Sequence, residues 1–235
     1  MVNSLWKDRF RNIFGESPGH APLGAPPRGR TGARPARNGS PQSLTRHSSG
    51  AEQVFKSLRA DETLSILDMA EASQANISFI TDLGHRLSSE DITSTMNQCF
   101  GEGDFFENQN VASKAQRFLD QVLNFSEPHF DGVLAWDTFQ FLVPPLLDQV
   151  IERVLKLMRP GGLMLAFFSA NEKVTSMPLY NYRIQDSKTL LLVPRNSFRQ
   201  VQYLNNRTIE RLFESAQSVK FFLSRDHLRE VIIRR

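Results

Sequence analysis

The strongest constraint on the fold is a strand, helix, turn and strand pattern in the C-terminal half of the chain. Residues 130–137 (FDGVLAWD) and 163–168 are short apolar runs that are typical of buried strands. Between them, residues 144–158 place apolar side chains at helical spacing, and Arg-Pro-Gly-Gly at 159–162 makes a sharp turn. This order makes a βαβ unit, which builds a parallel sheet. The pattern therefore predicts an α/β domain.

The same alternation begins directly after Gly50. The predicted elements are a helix, a strand, a second helix and a second strand, in that order (51–58, 63–69, 73–83 and 85–89). Gly84 is a good C-terminal stop for the second helix. An alternative assignment places the second strand at 76–82, but the glycine and the apolar spacing favour the helix.

Residues 92–128 are harder to assign. Their pattern predicts two helices on either side of a polar, Gly-containing break, and any third strand would lie within this region without a clear signal. Further on, the sequence predicts an extra strand, a helix and a terminal antiparallel strand pair (189–193, 206–216, and 219–223 with 230–234).

The N-terminal part differs in composition and charge. Residues 1–50 carry eight basic and two acidic side chains, whereas residues 51–235 carry three more acids than bases. Residues 15–50 are rich in Gly, Pro, Ser and Arg and predict a disordered basic linker. Residues 1–14 predict a short amphipathic helix, with its apolar residues on one face (Val2, Trp6, Phe10 and Ile13). This helix is either a peripheral membrane or protein anchor or a fraying tail.

Composition also excludes several functional classes. No apolar run approaches the roughly 20 residues of a membrane-spanning helix, and no secretory signal is visible, so we expect a cytoplasmic protein. One cysteine, Cys99, cannot form an internal disulfide, and no Cys/His spacing predicts a metal site. Because the basic charge belongs to the tail, the domain at 51–235 carries no nucleic-acid signal.

The order of elements and one pair of motifs resemble a known family. Phe130-Asp131-Gly132-Val133-Leu134, followed about 30 residues later by Leu157-Met158-Arg159-Pro160-Gly161-Gly162-Leu163, is similar to the fourth strand and the following turn of class I S-adenosylmethionine-dependent methyltransferases. The resemblance covers nearly all of residues 51–235. It implies a Rossmann-like, mostly parallel twisted sheet with helices on both faces and a C-terminal antiparallel hairpin. It also implies S-adenosylmethionine as cofactor and an unidentified methyl acceptor.

The resemblance assigns cofactor contacts to the turn after the first strand. Such sheets bind ligands at the carboxyl ends of their strands, and the family places an acid and a Gly-x-Gly-x-Gly-type loop there. In this sequence the acid is Asp68, and the glycine positions hold Ala70, Ala72 and Gln74, with Glu71 between the alanines. Alanine and glutamine disfavour the positive φ angles that glycine allows.

Further candidates follow the later strands. Glu90 or Asp91 corresponds to the acid that contacts the ribose in the family, although Asp91 could equally cap the next helix. Trp136 would lie beside the cofactor, and Asp137 would be a general base or an orienting group, or a simple turn cap. Tyr180 and Tyr182 would line an acceptor pocket or be ordinary cross-strand aromatics.

Two functional hypotheses therefore stand. The first is a methyltransferase that transfers a methyl group from S-adenosylmethionine. The second is a non-catalytic methyltransferase-like binding or regulatory module that has lost the cofactor, for which the missing glycines are the best support. A Rossmann dehydrogenase is disfavoured because no G-x-G-x-x-G follows the first strand.

Overall fold

A computed structural model describes residues 43–58, 62–223 and 228–235. Within these ranges the strands are β1 (Leu44–His47), β2 (Ser65–Asp68), β3 (Arg86–Ser89), β4 (Phe130–Trp136), β5 (Met158–Ser169), β6 (Ser176–Asp186), β7 (Thr189–Gln200), β8 (Ser218–Leu223) and β9 (Leu228–Arg234). The α-helices are α1 (Ser49–Ser57), α2 (Gln74–Asp82), α3 (Ile92–Phe100), α4 (Phe105–Gln109), α5 (Ala112–Gln121), α6 (Leu146–Leu157) and α7 (Asn206–Leu212). A short 3-10 helix spans Thr138–Phe141.

Six strands form the central sheet in the order β3-β2-β4-β5-β9-β8. The neighbours from β3 to β5 pair in parallel, and β9 pairs antiparallel with both β5 and β8. The mostly parallel sheet and the terminal antiparallel pair confirm the predicted Rossmann-like α/β class. The chain moves from β2 to β3 on one side and then to β4 on the other, so the strand order reverses at β2.

Both faces of the central sheet are covered, as a parallel sheet requires. Alternate strand residues point to opposite faces: Leu67 and Val133 join one buried apolar cluster, and Ile66 and Leu134 join another. The first cluster packs against α3, α5, α6 and α7. The second packs against α1, α2 and the inner side chains of β6 and β7. Helices therefore lie on both faces, and a second sheet shares one of them.

This second sheet has the order β1-β7-β6 and is antiparallel throughout. Its main part is the long β6–β7 hairpin, Ser176–Asp186 and Thr189–Gln200. Only residues 189–193 were predicted as a strand here, because much of the hairpin is polar and lacks a continuous apolar run. Its buried residues include Tyr182 and Ile184, which point toward the central sheet.

The folded unit begins earlier than predicted. Residues 44–50, assigned to the disordered linker, form β1 and the start of α1, and this unit extends from Ser43 to Arg235. The boundary at residue 50 is therefore wrong. The composition of residues 44–50 gives no sign of the tertiary contact that orders them. Glu230 on β9 accepts hydrogen bonds from Arg46 at 2.6 Å, Ser48 at 3.0 Å and the Gly50 backbone at 2.6 Å. A Cβ on Gly50 would lie 2.9 Å from Glu230 Oε2, so this close approach requires glycine.

The region from 92 to 128 contains three helices where two were predicted, and its described residues form no strand. The sheet consequently ends at β3 on this side. The predicted helix at 73–83 is confirmed as α2, with Ser73 as its N-cap and Gly84 in the left-handed region at a φ of 86°. The alternative strand at 76–82 is wrong. The predicted helix at 1–14 and the linker residues up to 42 lie outside the described residues.

Every described helix falls short of the length and hydropathy that crossing a bilayer requires.

We expect the Glu230→Ala variant to lose about 3–5 kcal/mol of unfolding free energy. The side chains of Arg46 and Glu230 are 6% and 1% exposed. Removing the carboxylate breaks this buried ion pair and takes the acceptor away from Ser48 and the Gly50 backbone, and breaking a buried pair is strongly destabilising. Urea denaturation followed by circular dichroism measures this loss. The control is Glu52→Ala, which breaks an exposed pair with Lys56 and should change stability little. Equal losses in the two variants would contradict the prediction.

Candidate functional site

The carboxyl ends of β2, β3 and β4 bring the predicted site residues together. Asp68, the last residue of β2, pairs in register with Ser89 on β3 and Leu134 on β4. The Glu90 backbone N–H donates to the Asp68 carbonyl at 2.9 Å, so the turns that follow β2 and β3 are joined. This edge also contains the point where the strand order reverses, which is where open α/β sheets bind their ligands.

Asp68 is fully buried, and both oxygens of its carboxylate accept hydrogen bonds from the chain. Oδ1 accepts a hydrogen bond from Trp136 Nε1 at 2.6 Å, and Oδ2 accepts one from Asn76 Nδ2 at 2.7 Å. A backbone hydrogen bond from Ala70 adds a third donor. Burial raises the pKa of Asp68 to about 6, although these hydrogen bonds act to lower it. The carboxylate therefore links β2, β4 and α2 from within the protein.

Asn76 extends this link to the hairpin. It is buried near the start of α2, and its amide nitrogen also donates to the Tyr182 carbonyl at 2.9 Å. Its amide oxygen accepts from the Ile184 backbone N–H at 2.8 Å. One side chain thus connects Asp68 to the backbone of β6 and fixes the hairpin over the edge.

The loop after β2 makes its polar contacts with the same hairpin. Ala70 is buried, and Ala72 is exposed. The exposed Glu71 accepts a hydrogen bond from Asn181 on β6 at 2.8 Å. Gln74 points along α2 and donates to Ser78 at 3.0 Å. The loop that would face a cofactor therefore lies against β6.

Glu90 and Asp91 both have partners inside the protein. Glu90 accepts from the Leu123 backbone N–H at 2.8 Å, and burial raises its pKa. Asp91 is the N-cap of α3 and accepts from the Ser94 N–H at 3.0 Å, as the capping alternative predicts. Asp91 also binds Arg195 of β7 with both carboxylate oxygens, one of them at 3.0 Å.

Trp136 and Tyr182 form the aromatic centre of the edge. Trp136 has a φ of 50° and is 1% exposed, and its ring is stacked on Tyr182 with centroids 5.0 Å apart and an interplanar angle of 2°. Tyr182 is 3% exposed, and burial raises its pKa well above the usual value. Tyr180 is half-buried, and burial raises its pKa as well. The two rings of the stack face each other and leave no open aromatic surface.

Asp137 directly follows Trp136 and is buried as well. It shares a hydrogen bond with the Tyr182 side chain, and its Oδ2 has no hydrogen-bond partner within the described part of the chain. Burial raises the pKa of Asp137 to about 7, although the bond from Tyr182 acts to lower it. A carboxyl group with this pKa can hold or release a proton near neutral pH.

Neither of two cavities among the described residues is lined by Asp68, Trp136 or Asp137. One of about 300 Å³ lies beside the edge, against the loop after β2 and two hairpin residues, Asn181 and Arg183. The larger, of about 650 Å³, lies between α6 and α7 and shares none of the predicted site residues. Across residues 43–58, 62–223 and 228–235, no three His, Cys, Asp or Glu side chains are grouped to hold a metal ion.

The residues at this edge do not fit S-adenosylmethionine. Of the acids predicted to contact the cofactor, the three that are not exposed, Asp68, Glu90 and Asp91, all accept hydrogen bonds from the chain itself. The loop presents alanines and Glu71 where a cofactor would need close backbone approach. The Trp136 indole donates to Asp68, so its polar group also has a partner within the protein.

Two residues that close the edge were not predicted. Asn76 has a weak sequence signal: it is a polar residue on the buried face of α2, eight positions after Asp68. Arg195 has none that links it to Asp91, because 104 residues separate them and the contact depends on how the hairpin folds back.

No protein-family model and no curated protein matches the chain. Solved methyltransferases do resemble it. The 1,6-didemethyltoxoflavin-N1-methyltransferase of Burkholderia thailandensis, solved with S-adenosylhomocysteine, is 15% identical over 79% of this chain and 76% of its own, with a TM-score of 0.45. A S-adenosylmethionine-dependent methyltransferase from Methanosarcina mazei is 15% identical over 77% of this chain and 96% of its own, with a TM-score of 0.44.

The N-methyltransferase NodS of Bradyrhizobium japonicum is also 15% identical, over 79% of this chain and 93% of its own, with a TM-score of 0.44. These structural neighbours belong to the family that the sequence resembles. The likeness specifies neither a ligand nor an acceptor for this chain.

We expect stability to fall as pH rises from about 4 to about 7. In this window folded Asp137 holds a proton that the unfolded chain, with an Asp pKa of about 3.9, has released. The free energy of unfolding then falls by at most about 1.4 kcal/mol per pH unit from this group, and Asp68 adds to the slope up to about pH 6.

The Asp137→Asn variant cannot ionise and should show a shallower slope. Urea denaturation at pH 5, 6, 7 and 8 measures it. The exposed Asp82→Asn variant is the matched control and should keep the wild-type slope. Parallel curves for wild type and Asp137→Asn would contradict the assignment.

Proposed function

We propose that this chain is a methyltransferase-like module that acts by binding and not by methyl transfer. The proposal rests on the acids at the carboxyl ends of β2 and β3, which are paired with other groups of the chain. We call the region formed by the carboxyl ends of β2, β3 and β4 the carboxyl edge. Asp68 binds Trp136 and Asn76, and Asp91 binds Arg195. A cofactor would have to displace these partners and leave buried polar groups unpaired, which costs about 1–3 kcal/mol for each group.

The loop after β2 supports the same proposal. Methyltransferase-like cofactor sites rely on glycines there, and this chain has Ala70, Ala72 and Gln74 at those positions. The Glu71 side chain is bonded to Asn181 across the space above the loop. The groups that would hold a cofactor, Asp68 and Asp91, are thus bonded to other side chains of the same fold.

Methyl transfer from S-adenosylmethionine to an unidentified acceptor is the competing function. Asp137 favours it, because this carboxyl group has a pKa near 7 and one oxygen without a partner among the described residues. However, Asp137 is only 5% exposed, and Tyr182, which bonds to it, is buried by the stack with Trp136. An acceptor would reach Asp137 only if the hairpin moved.

Calorimetric titration of the full chain with S-adenosylmethionine and S-adenosylhomocysteine tests the proposal. We expect no saturable heat up to roughly 1 mM, the upper range of ordinary substrate affinities. Saturable binding that weakens in the Glu90→Ala/Asp91→Ala double variant would instead support the enzyme. The Glu102→Ala variant is the control, because this exposed acid lies outside the edge.

The module has one predicted means of localisation, residues 2–14. Their apolar face and the basic residues beside it suit an anionic membrane surface or a partner groove. We expect the full chain to sediment with anionic liposomes and the Trp6→Glu/Phe10→Glu variant to remain in the supernatant. A Ser4→Glu/Asn12→Glu variant adds the same charge away from the apolar face and should still sediment. If the first variant sediments as the wild type does, this role is excluded.

A further inference from the structure

A bulge in the hairpin directs one arginine at the carboxyl edge. The β6–β7 register shifts between Pro178 and Tyr180, and the extra residues lie on β7, where Pro194 pairs with Tyr180 and Phe198 pairs with Pro178. Asn196 within this bulge has a φ of 55°, in the left-handed region that asparagine tolerates better than most residues. Bulges of this kind re-aim a side chain, and here the residue before Asn196 is Arg195.

Arg195 spans two carboxylates that follow neighbouring strands. Its two terminal nitrogens bind the two oxygens of Asp91, after β3, and one of them lies 3.5 Å from Glu71 Oε2, after β2. The side chain of Arg195 is 16% exposed and that of Asp91 is 22% exposed, so solvent screens this pair only in part. A forked guanidinium–carboxylate pair is among the stronger charge-assisted contacts in proteins.

The contacts of Arg195 with Asp91 and Glu71 lie where a ligand of this fold would bind. Ligands of open α/β sheets bind outside the strand ends beside the reversal of strand order. Glu71 follows β2, where the order reverses, and Asp91 follows the neighbouring strand β3. A ligand with hydroxyl or ammonium donors would use the same carboxylate oxygens that Arg195 occupies. The guanidinium therefore competes with such a ligand for the same acceptors.

We propose that Arg195 is an autoinhibitory contact, an internal counter-ion that keeps the hairpin closed over the carboxyl edge and excludes ligands from Asp91 and Glu71. This inference rests on the proposed function, because it explains why the wild-type edge does not bind S-adenosylmethionine. It goes further in assigning to one side chain, Arg195, the exclusion of ligands from Asp91 and Glu71. A ligand or partner that draws Arg195 away would open the edge.

Calorimetric titration of four full-length proteins with S-adenosylhomocysteine tests the inference, since this probe carries both an ammonium group and ribose hydroxyls. The proteins are wild type, Arg195→Met, Arg195→Ala and Arg183→Ala. Methionine keeps most of the aliphatic stem and removes the charge. Arg183→Ala is the matched control, because Arg183 is an exposed arginine on β6 beside the same edge and has no ion pair among the described residues.

We expect both Arg195 variants to bind the probe saturably, with a Kd at least about tenfold below the roughly 1 mM up to which wild type shows no saturable heat, while Arg183→Ala behaves as wild type. Thermal unfolding of each variant confirms that it is folded. Folded Arg195 variants that bind no better than wild type would overturn the inference.

The two proposals fail in different ways. Saturable binding to wild type would overturn the proposed function alone if the Arg195 variants still bind about tenfold more tightly. It would overturn both if all four proteins bind equally. No binding to any of the folded proteins would leave the proposed function standing and reject the role of Arg195.

Discussion

The architecture of the carboxyl edge depends on one buried carboxylate. Asp68 ends β2 and receives hydrogen bonds from the indole of β4 and from the amide at the start of α2. A buried carboxylate is costly unless several donors surround it, so these donors must be held in place once the sheet forms. Through Asn76 the same requirement reaches the backbone of β6, and the hairpin closes over the strand ends as a result.

The acids at the strand ends of this sheet bind groups of the chain, where those of a ligand-binding Rossmann-like sheet bind the ligand. In an open sheet the acids after the strands face the crevice and bind polar groups of the ligand. Here the corresponding acids bind Trp136, Asn76, Leu123 and Arg195. The donors that a ligand would supply thus come from the chain itself, and these side chains form a packed polar layer at the strand ends.

The sequence predicted the elements at residues 63–89 and 130–168 well, because apolar runs and helical spacing report directly on burial, whereas the helices within residues 92–128 were miscounted. It also predicted that Asp68, Trp136 and Asp137 share one edge, which follows from the parallel order of their strands. It missed most of the hairpin because that segment is polar and lacks a continuous apolar run, and it missed β1 because the pairing of β1 with β7 joins distant segments. The Arg195–Asp91 contact was unpredictable for the same reason: local periodicity carries no record of which polar residue a folded-back strand will meet.

The pair of Arg46 and Glu230 has a consequence for how the chain folds. These residues are 184 positions apart, and β9, which carries Glu230, lies between β5 and β8 inside the central sheet. Until β9 leaves the ribosome, β5 has an open edge and β1 lacks its buried counter-charge. Such long-range contacts form late and slow the search for the native state. We therefore expect this domain to mature only after β9 has been synthesised, with an exposed strand edge on β5 that chaperones can recognise in the meantime.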